Sequence, residues 1–355
     1  MNKFFCIFYI LLFILKTETV FSNNLNYDVN NVEVRSKTNN SFSDSKLVES
    51  AFRKAFITFV NKTLLKDDAK ILYKTENKII KDLVLTYQIV SNTKNKNNEI
   101  LSIFNIKFDS KKINIFLAKR RISYADISNI SLVLLPILIK DNDILLYNEN
   151  FFYKNWNELK KTSGKTNNKL ISYDMALENI EDLKYINEIK ENINLIEANK
   201  IDSFKDIKNY VLLIIYSSED KFKAFIKTSI KNKKIDRNID LNIYPEDINK
   251  SNEEAIIAIK KEIIQIWKEQ NLIDVNTPSF LDVFLEGKKK EDYLKLKVIL
   301  DSLDIVDSYS VLEMTNEYSK IRLKYRGKIS KIKNKLSEKN IKILITDNVW
   351  KLKLN

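Results

Sequence analysis

The chain has no histidine and a single cysteine, and these two shortages close more chemistry than any of its motifs opens. Without imidazole there is no usual general base, no Ser-His-Asp or Cys-His pair, and almost no zinc or copper site with nitrogen ligands. Cys6 lies inside the first apolar run, so everything after it lacks thiols, disulfides and thiolate ligands. Stability must come from packed cores. Arginine is also rare, confined to Arg35, Arg53, Arg120, Arg121, Arg237, Arg322 and Arg326, so nearly all of the 60 basic residues are lysine. Arginine reads carboxylate, phosphate and guanine in a two-pronged way that lysine cannot, and its scarcity argues against a site built for that recognition. Carboxylate, Ser/Lys and Tyr chemistry stay open, and no metal or cofactor is predicted.

What is present begins with an address. Lys3 precedes an unbroken apolar run, Phe4 to Leu15, and a short polar stretch ends at Val20-Phe21-Ser22. Positive start, apolar middle and small or β-branched residues at the −3 and −1 positions are the marks of a secretory signal peptide over residues 1–22. Lys16 closes the run well short of the roughly 18–20 residues that span a bilayer. No cysteine follows the cleavage point to accept a lipid. The expectation is export to the periplasm after cleavage near Ser22. The net charge of +13 falls by only one when Lys3, Lys16 and Glu18 are removed. Spread through a Lys-, Asn- and Ile-rich chain, that charge reads first as solvated surface.

Beyond the signal, the rest of the 355-residue chain still exceeds one ordinary core, and three segments differ in pattern. Residues 23–125 predict a small α+β module of order β-α-α-β-β plus a further helix. Its strongest signal is Asp44 to Leu65, where Leu47, Ala51, Ala55 and Phe59 run beside Val48, Phe52, Phe56 and Val60 as one helical stripe. A second helix is predicted over Asp67 to Lys81, a hairpin from alternation at Leu83 to Ile89 and Ile100 to Phe108, and a short helix over Lys111 to Arg120. Residues 126–275 predict an α/β module with a mostly parallel sheet. Leu132 to Ile139 and Tyr210 to Tyr216 are continuous apolar runs, as in strands buried on both faces. Pro136, lacking a backbone donor, is expected at an edge or bulge. A hairpin over Phe222 to Ile230 and Ile239 to Tyr244 and a helix over Glu253 to Glu269 complete this segment. Residues 278–355, after Thr277-Pro278, predict a ferredoxin-like β-α-β-β-α-β module with an extra strand at the end.

Few motifs carry chemistry. Ser163-Gly164-Lys165-Thr166 matches the end of a phosphate-binding loop, but Leu159 stands where the motif needs its first glycine. Ser43 to Lys46 and Ser330 to Lys333 fit Ser-x-x-Lys, a spacing that brings an amine to a hydroxyl, and the remaining parts of such a site are missing. Nine basic residues against Glu338 crowd Lys320 to Lys339. Along the predicted strand Lys320, Arg322 and Lys324 alternate with apolar residues, so one sheet face is basic, and Arg326 and Lys328 continue it. These five residues are a candidate patch for an anionic surface. No aromatic residue lies on the exposed face of that strand, and with export this argues against nucleic acid.

From about Ser45 to Tyr216 the chain resembles a family of exported proteobacterial proteins known as the domain of unknown function number two-zero-six-six. The resemblance rests on Ala51 to Phe56 (AFRKAF), Phe104 to Asp109 (FNIKFD), Ile122-Ser123-Tyr124 leading into Leu132 to Pro136 (LVLLP), and the aromatic-rich Phe151 to Trp156. The ferredoxin-like tail resembles the C-terminal portion of longer members. These are packing motifs, and what the resemblance implies is export and α/β architecture, with no reaction or catalytic residue to carry over.

Three functional readings stay open. The first is a non-catalytic envelope interaction or assembly factor with an envelope protein as partner. The second is a carboxylate hydrolase whose site sits beyond the carboxyl ends of the buried strands, near Lys140 to Asp143 and Ser217 to Asp220. The third is adhesion to an anionic membrane surface through Lys320, Arg322, Lys324, Arg326 and Lys328.

Overall fold

The computed structural model describes residues 27–37, 44–94, 99–126, 129–141, 143–158, 170–218, 221–275, 277–286, 290–315, 317–346 and 349–354. The expected signal peptide with Cys6, Ser43 and the Ser163 to Thr166 motif lie outside them. The architecture is mixed α and β, as the sequence pattern predicts.

The first sheet holds β1 (Asp28–Lys37), β2 (Val84–Lys94) and β3 (Glu99–Phe108) in the antiparallel order β1-β3-β2. Helix α1 (Asp44–Thr63) lays its predicted stripe on it, with Phe56 and Phe59 against Phe108 and Phe59 against Tyr27. The helix expected over Asp67 to Lys81 is two, α2 (Lys66–Leu72) and α3 (Asn77–Leu83). Arg53 of α1 holds the break: its guanidinium donates to the Tyr73 carbonyl (3.2 Å), the Thr75 carbonyl (2.6 Å) and Asn77 Oδ1 (2.6 Å). Helix α4 (Ser110–Lys119) follows β3, capped by Asp109, whose Oδ1 accepts from the Lys112 amide.

The second sheet is built on β5 (Ile130–Lys140) and β8 (Tyr210–Ser217), parallel neighbours at its centre. Alternation explains their continuous apolar runs. Leu132, Leu134, Val211, Leu213 and Ile215 pack under helix α7 (Ile248–Gln270), with Ile256, Ile259, Ile263 and Trp267. Leu135, Ile137, Leu212 and Ile214 fill the other face beneath α6 (Ile180–Glu188) and the 3-10 turns after it. The expectation of a mostly parallel sheet is corrected. Two of its pairings are parallel, β7 (Ile171–Met175) with β5 and β8 with β5, whereas β6 (Asp143–Leu145) joins β5, β9 (Phe222–Ile230) joins β8 and β10 (Lys233–Asp240) joins β9 antiparallel. The hairpin's return strand also starts earlier than expected. Lys231 and Asn232 both adopt positive φ, 51° and 64°, which makes a two-residue turn that reverses the chain at once.

Pro136 lies inside β5 rather than on an edge strand, and the geometry shows why it fits. β7 pairs with β5 at Ile130 to Leu134 and β6 at Leu138 to Lys140, on the flank away from β8, so Pro136 falls in the gap between them. The missing N–H costs no ladder bond there. Its carbonyl accepts from Asn150 Nδ2 at 2.9 Å, and the same buried amide donates to the Leu145 carbonyl and caps α5 (Phe151–Asn155) by accepting from the Phe152 amide.

After α7 the chain returns to the first core. β11 (Leu272–Ile273) pairs with β4 (Tyr124–Ala125), and Ile273 and Val275 pack among the aromatic residues of α1 and β3. The third sheet contains β12 (Ser279–Glu286), β13 (Val306–Met314), β14 (Tyr318–Tyr325), β15 (Ile341–Thr346) and β16 (Val349–Leu354). Helices α8 (Lys290–Ser302) and α9 (Ile329–Ser337) bury Leu296, Leu300, Ile332 and Leu336 against one face. The extra strand is not appended at the rim. The order is β13-β14-β12-β16-β15, with β16 inserted beside β12 and parallel to it. Insertion buries Leu352 completely and leaves the edge to β15, which carries Lys342.

Polar contacts join the units. Lys268 of α7 donates to the carbonyls of Asn61 and Leu64 (2.8 Å for the latter) at the end of α1. Asn114 accepts from the Tyr27 hydroxyl (3.0 Å) and donates to the Asp304 carbonyl, while its own carbonyl accepts from Arg326 (3.2 Å).

Candidate functional site

The basic run divides in two. Lys320, Arg322 and Lys324 lie on the open face of the third sheet, alternating with buried Ile321, Leu323 and Tyr325. Arg322 grips Asp282 of β12 with two hydrogen bonds, 2.7 and 2.8 Å, which holds that carboxyl below its ordinary range. Arg326 and Lys328 leave this face. The Arg326 side chain is only 16% exposed and pairs with Asp307 at 3.0 Å, and Lys328 donates to the Gln270 carbonyl. Burial, then Lys233 and Lys231, lowers the Lys328 ammonium. The single patch expected over these five residues is therefore corrected to three residues outside and two at a junction. Their partners Asp282 and Asp307 are distant in sequence from the charges they meet, so no local charge count shows the pairing.

The position expected for a hydrolase site does hold a cleft, of about 540 Å³, at the carboxyl ends of β5 and β8. The connections leaving these two strands diverge there, toward β6 and toward β9, which opens a crevice in an α/β sheet. Lys140, Asp141, Ser217 and Ser218 line it, facing Phe222, Tyr244 and Ile248. The far wall is fixed, since Ser251 Oγ accepts from the Tyr244 amide at 2.7 Å and the Tyr244 hydroxyl donates to Glu254 at 2.7 Å. That hydrogen bond, followed by burial, raises the Tyr244 hydroxyl above its usual value. Among the described lining residues Asp141 is the one carboxylate, so the two acids that glycoside hydrolysis uses are not assembled from them. Glu219 and Asp220 lie outside the described residues. Among the described residues no group of three or more acids could hold a metal ion.

The third feature is the edge strand β2. It pairs with β3 alone among the described residues, leaving its other edge unmatched. Val84 to Thr93 contains no charge, in a chain where 30% of residues are charged, and Lys94 is the first. The other long edge strands carry charge: β1 at Asp28, Glu33 and Arg35, β10 at Lys233, Lys234, Asp236 and Arg237, and β13 near its two ends at Asp307 and Glu313. Charge on an edge blocks pairing with foreign strands, and its absence permits it. Tyr87 and Ile89 stand opposite buried Ile106 and Phe104, hence on the helix side of the sheet, yet they are 49% and 43% exposed. The Tyr87 ring makes a T-shaped contact with Phe52 of α1, 5.2 Å between centroids, so strand and helix join in an apolar ledge. Register shifts at Leu85 and Val90 bracket Thr86 to Ile89 as the regular stretch. The alternation of this strand is legible in sequence, but its edge position and uncovered inner face are not.

No family model matches the chain, and no curated protein and no solved structure matches it.

Proposed function

We propose that the protein is an exported, non-catalytic interaction factor of the cell envelope that captures an extended segment of a partner protein as an added strand on β2. The observation that carries this reading is the uncharged edge from Val84 to Thr93 beside the exposed Tyr87 and Ile89, with Tyr87 resting on buried Phe52. Backbone N–H and C=O groups of the edge supply affinity, and the ledge selects apolar side chains at alternate positions of the guest. Export follows from the Lys3 to Ser22 signature, and we propose three structural modules, a β-α-α-β-β unit, a central α/β unit and a ferredoxin-like unit with an inserted strand. The four buried clusters, two of them on opposite faces of the central sheet, support that division. The resemblance to an exported family agrees with the address and supplies no reaction.

The test is affinity purification from a crosslinked envelope fraction with the natural chain and with Ile89→Lys. One envelope protein recovered with the natural chain and lost with the variant supports strand capture. Recovery of no reproducible partner, or equal recovery with both chains, sinks it. Concentration-dependent dimerisation abolished by the same substitution would instead assign the edge to a second copy of this chain.

A further inference from the structure

The outer face of the third sheet has a composition that neither a solvated surface nor strand capture explains. Register places Phe280 opposite Lys324, Asp282 opposite Arg322, and Phe284 opposite Lys320, all on the side away from α8 and α9. Lys351 and Lys353 of β16 and Lys342 and Leu344 of β15 continue the same face. Among the described residues its acids are Asp282, Glu286 and Glu313, of which Asp282 is held by Arg322, Glu286 by Lys351, and Glu313 accepts from the Tyr318 hydroxyl. Lys320, Lys324, Lys342 and Lys353 form no ion pair among the described residues. Phe280 projects between the lysine rows with 59% of its surface exposed, and Leu344 is exposed beyond it.

We infer that this face docks on an anionic lipid bilayer, with the four lysines over the headgroups and Phe280 and Leu344 at the boundary with the acyl chains. Charge complementarity fixes the sign of the partner, and the residue types favour a membrane over single-stranded nucleic acid. Base stacking needs successive open ring faces. Phe284 offers none, because Tyr318 packs on it at 5.4 Å between centroids and the Lys320 ammonium sits 5.5 Å from its centre. The one arginine is locked on Asp282 and not free to read phosphate or base. Lysine point charges on flexible stems suit a diffuse negative surface, and weak apolar insertion joined to several such charges is how a protein adheres without an anchor. The inference stands on a different module from strand capture, so either can fail alone.

The experiment is co-sedimentation of the full chain with vesicles of phosphatidylcholine alone and of equal parts phosphatidylcholine and phosphatidylglycerol. The neutral vesicles subtract any contribution of the Phe4 to Leu15 run. Binding should appear only with the anionic vesicles and vanish as salt approaches about 1 M, where the screening length falls to about 3 Å. Each lysine removed should lower partition about fivefold, and either double reversal, K320E/K324E or K342E/K353E, about a hundredfold or more. The two pairs lie on separate strands, so misfolding of one variant leaves the other as a test, with circular dichroism as the check. Phe280→Ala should weaken binding at unchanged salt dependence. Equal binding to both vesicle types, or anionic binding unchanged by both reversals, overturns the inference. So does preferential binding of a thymidine oligonucleotide that the same reversals abolish.

Discussion

Lys268 makes a sharp thermodynamic prediction. It is 2% exposed, its ammonium is held by the Asn61 and Leu64 carbonyls at the end of α1, and burial pushes its pKa down to about 8. A lysine that loses its proton more readily folded than unfolded makes the unfolded state bind more protons between the two values. Stability therefore rises with pH across that window. The ordinary lysine value is 10.5, so the penalty of burying the charge is felt below about pH 8 and relieved as pH climbs toward 10.5. A shift of this size corresponds to about 3 kcal/mol at most. Buried tyrosines limit the rise from above. Tyr27, Tyr124 and Tyr173 are all raised, chiefly by burial, so their phenols are neutral in the fold when the unfolded chain ionises, and stability is lost as pH passes 10. The profile should climb from pH 8, crest near pH 10 and then fall. Urea unfolding followed by tryptophan fluorescence from pH 7 to 11 measures it, with Trp267 next to the site as one reporter. Lys268→Met should flatten the climb while keeping the fall. Lys62 and Lys328 are also lowered and contribute to both chains, so the difference between the two profiles isolates Lys268. A natural chain with no gain between pH 8 and 10, or an equal gain in the methionine variant, refutes the reasoning.

Other perturbations follow from the same contacts. Asn150→Ala removes the cap of α5 and leaves the buried Pro136 carbonyl without its donor, which should cost about 2–4 kcal/mol in chemical denaturation. Arg326→Ala breaks its pair with Asp307 and its bond to the Asn114 carbonyl. Limited proteolysis should then show faster cleavage near Thr277 with the core of the third sheet intact. Leu213→Ala, in a fully buried central position, should lower stability by about 2–5 kcal/mol by the same unfolding assay. Ile89→Lys should change stability by less than about 1 kcal/mol, because the residue is already 43% exposed.

What the sequence made legible was whatever periodicity controls. The stripe from Leu47 to Val60 and the runs Leu132 to Ile139 and Tyr210 to Tyr216 became α1, β5 and β8 because burial on one or both faces dictates those patterns. The crevice beyond Lys140 and Ser217 was legible too, as a consequence of topology. Strand β10 was misplaced because only Ile235 and Ile239 stand out among its charges and its turn uses no glycine. The insertion of β16 beside β12 was hidden because parallel and antiparallel neighbours draw on the same alternation. Cross-strand partners such as Asp282 for Arg322, and the aromatic residues that β12 adds beside Lys320, are set by register between segments some forty residues apart. The edge position of β2 belongs to the same class, since it depends on what fails to pair with it.

The central claim is that β2 receives a partner strand. A photo-crosslinking amino acid placed in turn at each position from Val84 to Thr93, in cells, tests it most directly. Adducts to one envelope protein should recur with a period of two along the strand and disappear when Ile89→Lys is added. Adducts absent at every position, or as frequent from a control scan along the charged edge of β10, would contradict the account.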